Sequence, residues 1–113
     1  MYRQTWVEID LENLRHNFRI VKQLVGEKIA VLVPVKADAY GHGIIQVAKT
    51  LSEAGVDYVG VGAIDEAVAL REAGIKTPIL FLGSALPQEV SAACDYAISL
   101  TVSTKEQLEI FNR

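Results

Sequence analysis

One amine stands at the end of an apolar run. In Ala30-Val31-Leu32-Val33-Pro34-Val35-Lys36-Ala37-Asp38-Ala39-Tyr40-Gly41-His42-Gly43, strand-type residues lead straight into Lys36, and a tyrosine, a histidine and two glycines follow. In parallel α/β proteins, ligands bind at the carboxyl ends of strands. Most lysines are solvated surface charges, yet the residues before Lys36 are apolar, so this one emerges from a core rather than from a solvent face. Apolar surroundings disfavour the charged form of an amine. A neutral amine is what carbonyl addition and Schiff-base formation require. Tyr40 can reach the same ligand from the loop, or stand as an ordinary half-buried tyrosine. Gly41 and Gly43 permit close backbone approach to a ligand, or simply a turn before a helix. His42 reads as a base, a ligand or a helix-entry residue. No second histidine or carboxylate lies at metal spacing, so no metal site is expected. Asp38 reads as a loop residue, and Asp65 and Glu66 as acids favoured by a helix N-terminus.

The elements that must position these groups alternate between short β-type runs and amphipathic helices. Thr5 to Asp10 alternates in polarity and predicts a half-buried strand, with Asp10 as the N-cap of the next helix. Leu11, Leu14, Phe18, Val21 and Val25 form one apolar stripe on that helix, and Gly26 stops it. Ile29 to Val35 is apolar throughout and predicts a parallel strand buried on both faces. Pro34 sits awkwardly there, because proline forfeits a ladder hydrogen bond; a strand ending or bulging near it removes the conflict and re-aims Lys36. Ile44, Val47, Ala48 and Leu51 stripe a second helix that ends at Gly55. Tyr58 to Ile64 reads as a strand, Asp65 caps a helix through Ala73, and Gly74 closes it. Pro78 to Leu82 is again β, Pro87 opens a short helix to about Cys94, and Tyr96 to Val102 is a last strand. Ser103-Thr104-Lys105-Glu106 is a capping box for a final helix that buries Leu108 and Phe111 before the chain stops at Arg113.

Glu53-Ala54-Gly55-Val56 recurs as Glu72-Ala73-Gly74-Ile75, each at a helix end with a strand just after. Alternation with such short connections implies parallel strands joined by right-handed crossovers. After the N-terminal strand and helix come four βα-type units, whereas a closed (β/α)8 barrel needs eight strands and about 250 residues. Nothing in the composition separates half a barrel from a small doubly wound sheet.

The 113 residues suffice for one small domain. Half of them are apolar and 22% charged, ordinary for a globular protein. A net charge of −3 gives no reason to expect nucleic acid or an anionic membrane as partner. No apolar stretch approaches the ~20 residues of a membrane span, and the N-terminus lacks a signal-peptide layout. The single Cys94 allows no internal disulfide and fits a cytoplasmic setting.

As a unit, Val35-Lys36-Ala37-Asp38-Ala39-Tyr40-Gly41-His42-Gly43 closely resembles the pyridoxal-phosphate attachment motif of bacterial alanine racemases. Thr5 to Leu11 resembles that family's opening strand. Asp65 to Ile75 resembles the helix after its second barrel strand, and Pro78 to Gly83 its third strand. The resemblance covers essentially the whole chain, in the right order. Position 38 is Asp where many members have Asn, and Pro34 is a less usual choice. Basic amino-acid decarboxylases and the small pyridoxal-phosphate homeostasis proteins share the barrel and its lysine, but are not expected to carry Tyr-Gly-His-Gly after it.

The resemblance implies that residues 1–113 are the N-terminal half of a TIM-type barrel of α/β class, with a C-terminal β domain absent. It implies that Lys36 holds pyridoxal 5′-phosphate covalently and exchanges the Cα proton of alanine on one face. It places Tyr40 near the cofactor phosphate and Leu82 against the site. A tyrosine from a homodimeric partner serves the opposite face, and the resulting D-alanine supplies peptidoglycan. Half a barrel leaves two unpaired edge strands, so the chain alone is expected to be marginal or self-associating and close to inactive. A broad-specificity or serine racemase of the same family, or a non-catalytic α/β module retaining the segment, are the alternatives.

Overall fold

The computed structural model describes residues 2–112; Met1 and Arg113 lie outside it. Four strands, β1 (Leu32–Pro34), β2 (Tyr58–Val61), β3 (Ile79–Ser84) and β4 (Ile98–Thr101), form one parallel sheet in sequential order. Helix α1 (Leu11–Val25) precedes β1. Helices α2 (Ile44–Glu53), α3 (Ile64–Glu72), α4 (Val90–Asp95) and α5 (Lys105–Phe111) follow the four strands in turn. A 3-10 turn at Pro87–Glu89 leads into α4.

The side chains buried deepest along the strands all point to one face. Val35, Val59, Val61, Ile79, Phe81 and Ile98 are buried among the helices, together with Val47, Ala48, Leu51, Ala67 and Leu70. The residues of opposite parity (Pro34, Tyr58, Leu82 and Ser99) are exposed. The sheet is therefore covered on one face only, contrary to the two-sided burial predicted from its apolar run. A doubly wound sheet carries helices on both faces and reverses its strand order; this sheet does neither and is built like a barrel wall.

The conflict at Pro34 resolves through register. Val31 accepts from the Tyr58 N–H and the Val35 N–H donates to Gly60, so odd-numbered residues face β2. The nitrogen of Pro34 points to the free edge, where no ladder bond is lost. β1 also ends there.

The two repeated helix ends have one cause. At each, the glycine adopts positive φ (91° at Gly55, 87° at Gly74). Val56 and Ile75 donate back to Leu51 and Leu70, and Gly55 and Gly74 to Ser52 and Arg71, which is the Schellman arrangement. Val56 and Ile75 are then tucked into the core. Asp10 caps α1 as predicted, accepting from the Asn13 N–H, and Gly26 ends it.

Three expectations change. Thr5 to Asp10 forms no strand, and Trp6, Val7 and Ile9 are exposed, because no neighbouring strand among the described residues is there to pair with it. Asp65 is not a cap: Ala63 holds that position and Asp65 lies inside the first turn of α3. The cap of α5 is Thr104 rather than Ser103: Thr104 accepts from the Gln107 N–H, and Gln107 accepts from the N–H of Ser103, one residue before the cap. Leu108 is consequently exposed, while Phe111 packs on the core.

Two polar anchors hold the amino-terminal side of the sheet. The Arg71 guanidinium donates to the carbonyls of Ile75, Thr77, Tyr96 and Ala97 at 2.7–3.1 Å, tying α3 to the segments entering β3 and β4. Asp57 accepts from the Val31 N–H and from Lys22, whose ammonium also donates to the Ile29 carbonyl. Arg71→Met leaves four carbonyls without their donor and should lower stability by about 2–3 kcal/mol in urea unfolding. The Val31 hydrogen bond, followed by the Lys22 hydrogen bond and charge, holds the Asp57 carboxyl below the ordinary aspartate range. Its stabilising effect is therefore complete above about pH 4 and is lost as pH falls through the lowered folded-state value. Melting temperature followed from about pH 6 down to pH 2 should drop on the acid side, and Asp57→Asn should flatten that limb.

Candidate functional site at the carboxyl ends of the strands

Lys36 leaves β1 on the open face of the sheet. Pro34, Gly60 and Leu80 are register partners across β1, β2 and β3, and Lys36, Gly62 and Leu82 each stand two residues further along the chain. A methyl group placed on Gly62 would lie 3.2 Å from the Lys36 Cβ and 3.6 Å from its Cδ. The aliphatic stem of Lys36 thus rests where Gly62 has no side chain. One placed on Gly60 would lie 2.7 Å from the Leu82 Cδ1. Two glycines of β2 and its exit leave room for the two long side chains on either side. Lys36 itself is exposed, so the apolar surroundings expected for its amine are not supplied by these residues.

The backbone after Lys36 is unusual. Ala37, Asp38, Ala39 and Tyr40 all lie in the left-handed region, with φ of 54–55°, making one left-handed helical turn over Lys36–Tyr40. Each non-glycine residue there costs roughly 1–2 kcal/mol, so the turn persists only because its surroundings dictate it. Six backbone N–H groups between Ala37 and Ile44 are satisfied. Ala37 donates to Glu66 Oε2, Ala39 to Val35, Gly41 to Ala37 and Asp38, His42 to Ala39, Gly43 to Asp38, and Ile44 to Asp38 Oδ1. At about 1 kcal/mol apiece these bonds are of the same order as the strain. Gly41 continues the turn at φ 87°.

The neighbours of Lys36 divide by role. Asp38, read from sequence as a loop residue, is the remote cap of α2: its carboxylate takes the Ile44 N–H at 2.8 Å. His42 Nδ1 donates to the Ala39 carbonyl at 3.0 Å, a contact within the turn that leads into α2. Tyr40 lines a 560 Å³ cleft with Glu8, Asp10, Asn13, Pro34 and His42. Lys36 is not one of its walls. The structure thus sets the Lys36 stem over Gly62 and the Leu82 side chain over Gly60, and turns Tyr40 toward the adjoining cleft. Among the described residues no group of three His, Cys, Asp or Glu converges to hold a metal. No helix of the described residues is long and apolar enough to cross a membrane.

Sequence reasoning missed Glu66. Its carboxylate accepts from the Ala37 N–H through Oε2 and from the Gly62 N–H through Oε1, both at 2.8 Å. The available signal was a glutamate at the third position of a helix, where it can reach back to a backbone N–H; its second partner, 29 residues upstream, carries no sequence signature. Asp38→Ala should destabilise the protein by about 1–2 kcal/mol through loss of the α2 cap. Asp38→Asn, which keeps an acceptor oxygen, should stay within about 0.5 kcal/mol of the parent in the same denaturant titration.

The comparisons with known proteins agree with this geometry. The family model described as alanine racemase, N-terminal domain, matches residues 9–113. An alanine racemase of Halothermothrix orenii is 46% identical over 111 residues, covering 98% of this chain and 29% of the relative. The structure of a Clostridium difficile 630 alanine racemase superimposes with a TM-score of 0.93 at 39% identity, over 99% of this chain and 30% of that one. A histidine racemase from Leuconostoc mesenteroides gives a TM-score of 0.84 at 29% identity, over 97% of this chain and 29% of that one. The chain therefore spans about 30% of the length of the relatives it matches. Its four sequential βα units are the N-terminal half of a TIM-type barrel. With the profile, the relatives and the fold in agreement, this chain belongs to the alanine racemase N-terminal domain family.

Proposed function

We propose that the protein interconverts L-alanine and D-alanine with pyridoxal 5′-phosphate carried on Lys36. One observation carries the reading: a single amine stands on the open face at the carboxyl end of β1, seated over the bare backbone of Gly62, in a chain of this family. The residues fit the group. An exposed primary amine is the partner an aldehyde needs, and the side-chain-free position beside it leaves space that a methyl group on Gly62 would take from Lys36. When bound, the cofactor supplies an electron sink for the substrate carbanion. Lys36 holds it and moves the Cα proton on one face. Tyr40 is proposed on the phosphate side and Leu82 as a wall of the site. The opposite face requires a second base, proposed to come from the partner subunit of a homodimer.

We further read the chain as the N-terminal part of a longer, cytoplasmic enzyme with a second, β-rich domain, supplying D-alanine for peptidoglycan. The share of the relatives that it spans and the uncovered face of its sheet support this. A different amino acid as substrate is the second reading, favoured by the structural likeness to a histidine racemase. In the full-length protein, Lys36→Ala should abolish covalent cofactor attachment and slow Cα-proton exchange by about 10²–10⁴-fold. Exchange followed by NMR in deuterated water across alanine, serine and histidine checks the substrate. Unchanged exchange in the Lys36 variant would remove the reading, and faster exchange of another amino acid would replace alanine.

A further inference from the structure

The carboxylate of Glu66 has no part in the chemistry proposed above, yet its two partners flank Lys36. Ala37 is the next residue in the chain, and Gly62 is the surface on which the lysine stem lies. A glutamate at this helical position ordinarily serves the backbone of its own helix start. Here one oxygen does so, at Gly62, while the other crosses to a different βα unit.

We propose that Glu66 is the positioning residue of Lys36, clamping the exit of β1 to the exit of β2 so that the amine has one direction. The inference rests on Lys36 being the cofactor lysine. The Ala37 N–H is the first donor of a left-handed turn whose backbone is strained at four successive residues. Freed from Glu66, that end of the turn can relax toward ordinary backbone angles, and the relaxation rotates the adjoining Cα–Cβ bond of Lys36. Two N–H donors need two acceptor oxygens, which an ionised carboxylate provides and an amide does not. Glutamine would keep one bond and set an N–H against the other donor. Small displacements of a reacting group are costly in rate, so the clamp acts on chemistry as well as on stability.

The test uses the full-length apoprotein mixed with pyridoxal 5′-phosphate. The amine and the aldehyde join with loss of water, and borohydride delivers hydride to the C=N bond, leaving a secondary amine. Peptide mass spectrometry then reads the site and rate of attachment across pH. The parent should be labelled at Lys36. Glu66→Gln, folded and well below its melting temperature, should be labelled there about 10- to 100-fold more slowly with a displaced pH profile. Glu66→Asp should fall between the two. Arg71→Met, destabilised at the far end of the sheet, should be labelled at the parent rate, which separates positioning from lost stability. Parent-like rate and pH profile in Glu66→Gln overturn the proposal; should that variant fail to fold, a parent-like rate in Glu66→Asp does so. Absence of label at Lys36 in the parent overturns the cofactor reading instead.

Discussion

The structure depends on covering one face of a four-stranded parallel sheet. Val35, Val59, Val61, Ile79, Phe81 and Ile98 point one way and disappear beneath the helices. Side chains of this size contribute about 1.5–3 kcal/mol each when fully buried. Because side chains alternate along a strand, the same burial forces Pro34, Lys36, Gly62 and Leu82 to the other face. The open face that carries Lys36 is thus a consequence of core formation. Each helix start and each Schellman end keeps the next strand in the register that preserves this division.

At the carboxyl ends of the strands, local preference and tertiary demand oppose each other. Alanine and tyrosine have no intrinsic reason to adopt left-handed backbone angles, yet Ala37 to Tyr40 do so in succession. The surrounding acceptors, Glu66 from the next βα unit and Asp38 from within the turn, hold that conformation. Strain of this kind persists where structure over-determines it, and such places are enriched in function. The opposite end of the sheet is held differently. There Arg71 and Asp57 satisfy backbone groups with charge-assisted hydrogen bonds, and that end of a barrel wall contributes stability.

Some of this was legible in the residues. Steps of three and four marked α1 and α2, the Glu-Ala-Gly repeats marked two helix ends, and the apolar run marked the strand that leads into Lys36. Thr5 to Asp10 was misleading because alternation describes a surface that wants a partner, and no paired strand supplies one among the described residues. Two-sided burial of β1 was misleading for a related reason: an apolar face says that it can be covered, and leaves open whether these residues do the covering.

What the sequence determined by itself was whatever depends on near neighbours: helix stripes, the Asp10 cap, the alternation of strands with helices and the amine at the end of β1. Its resemblance to a family supplied the cofactor that such an amine would take. Only the tertiary structure decided which face of the sheet stays open, the left-handed path from Ala37 to Tyr40, and the pairing of Glu66 with Ala37. The physical reason is range. Helix periods and caps are settled over a few bonds, whereas a carboxylate reaching another βα unit is settled by the packing of the whole sheet.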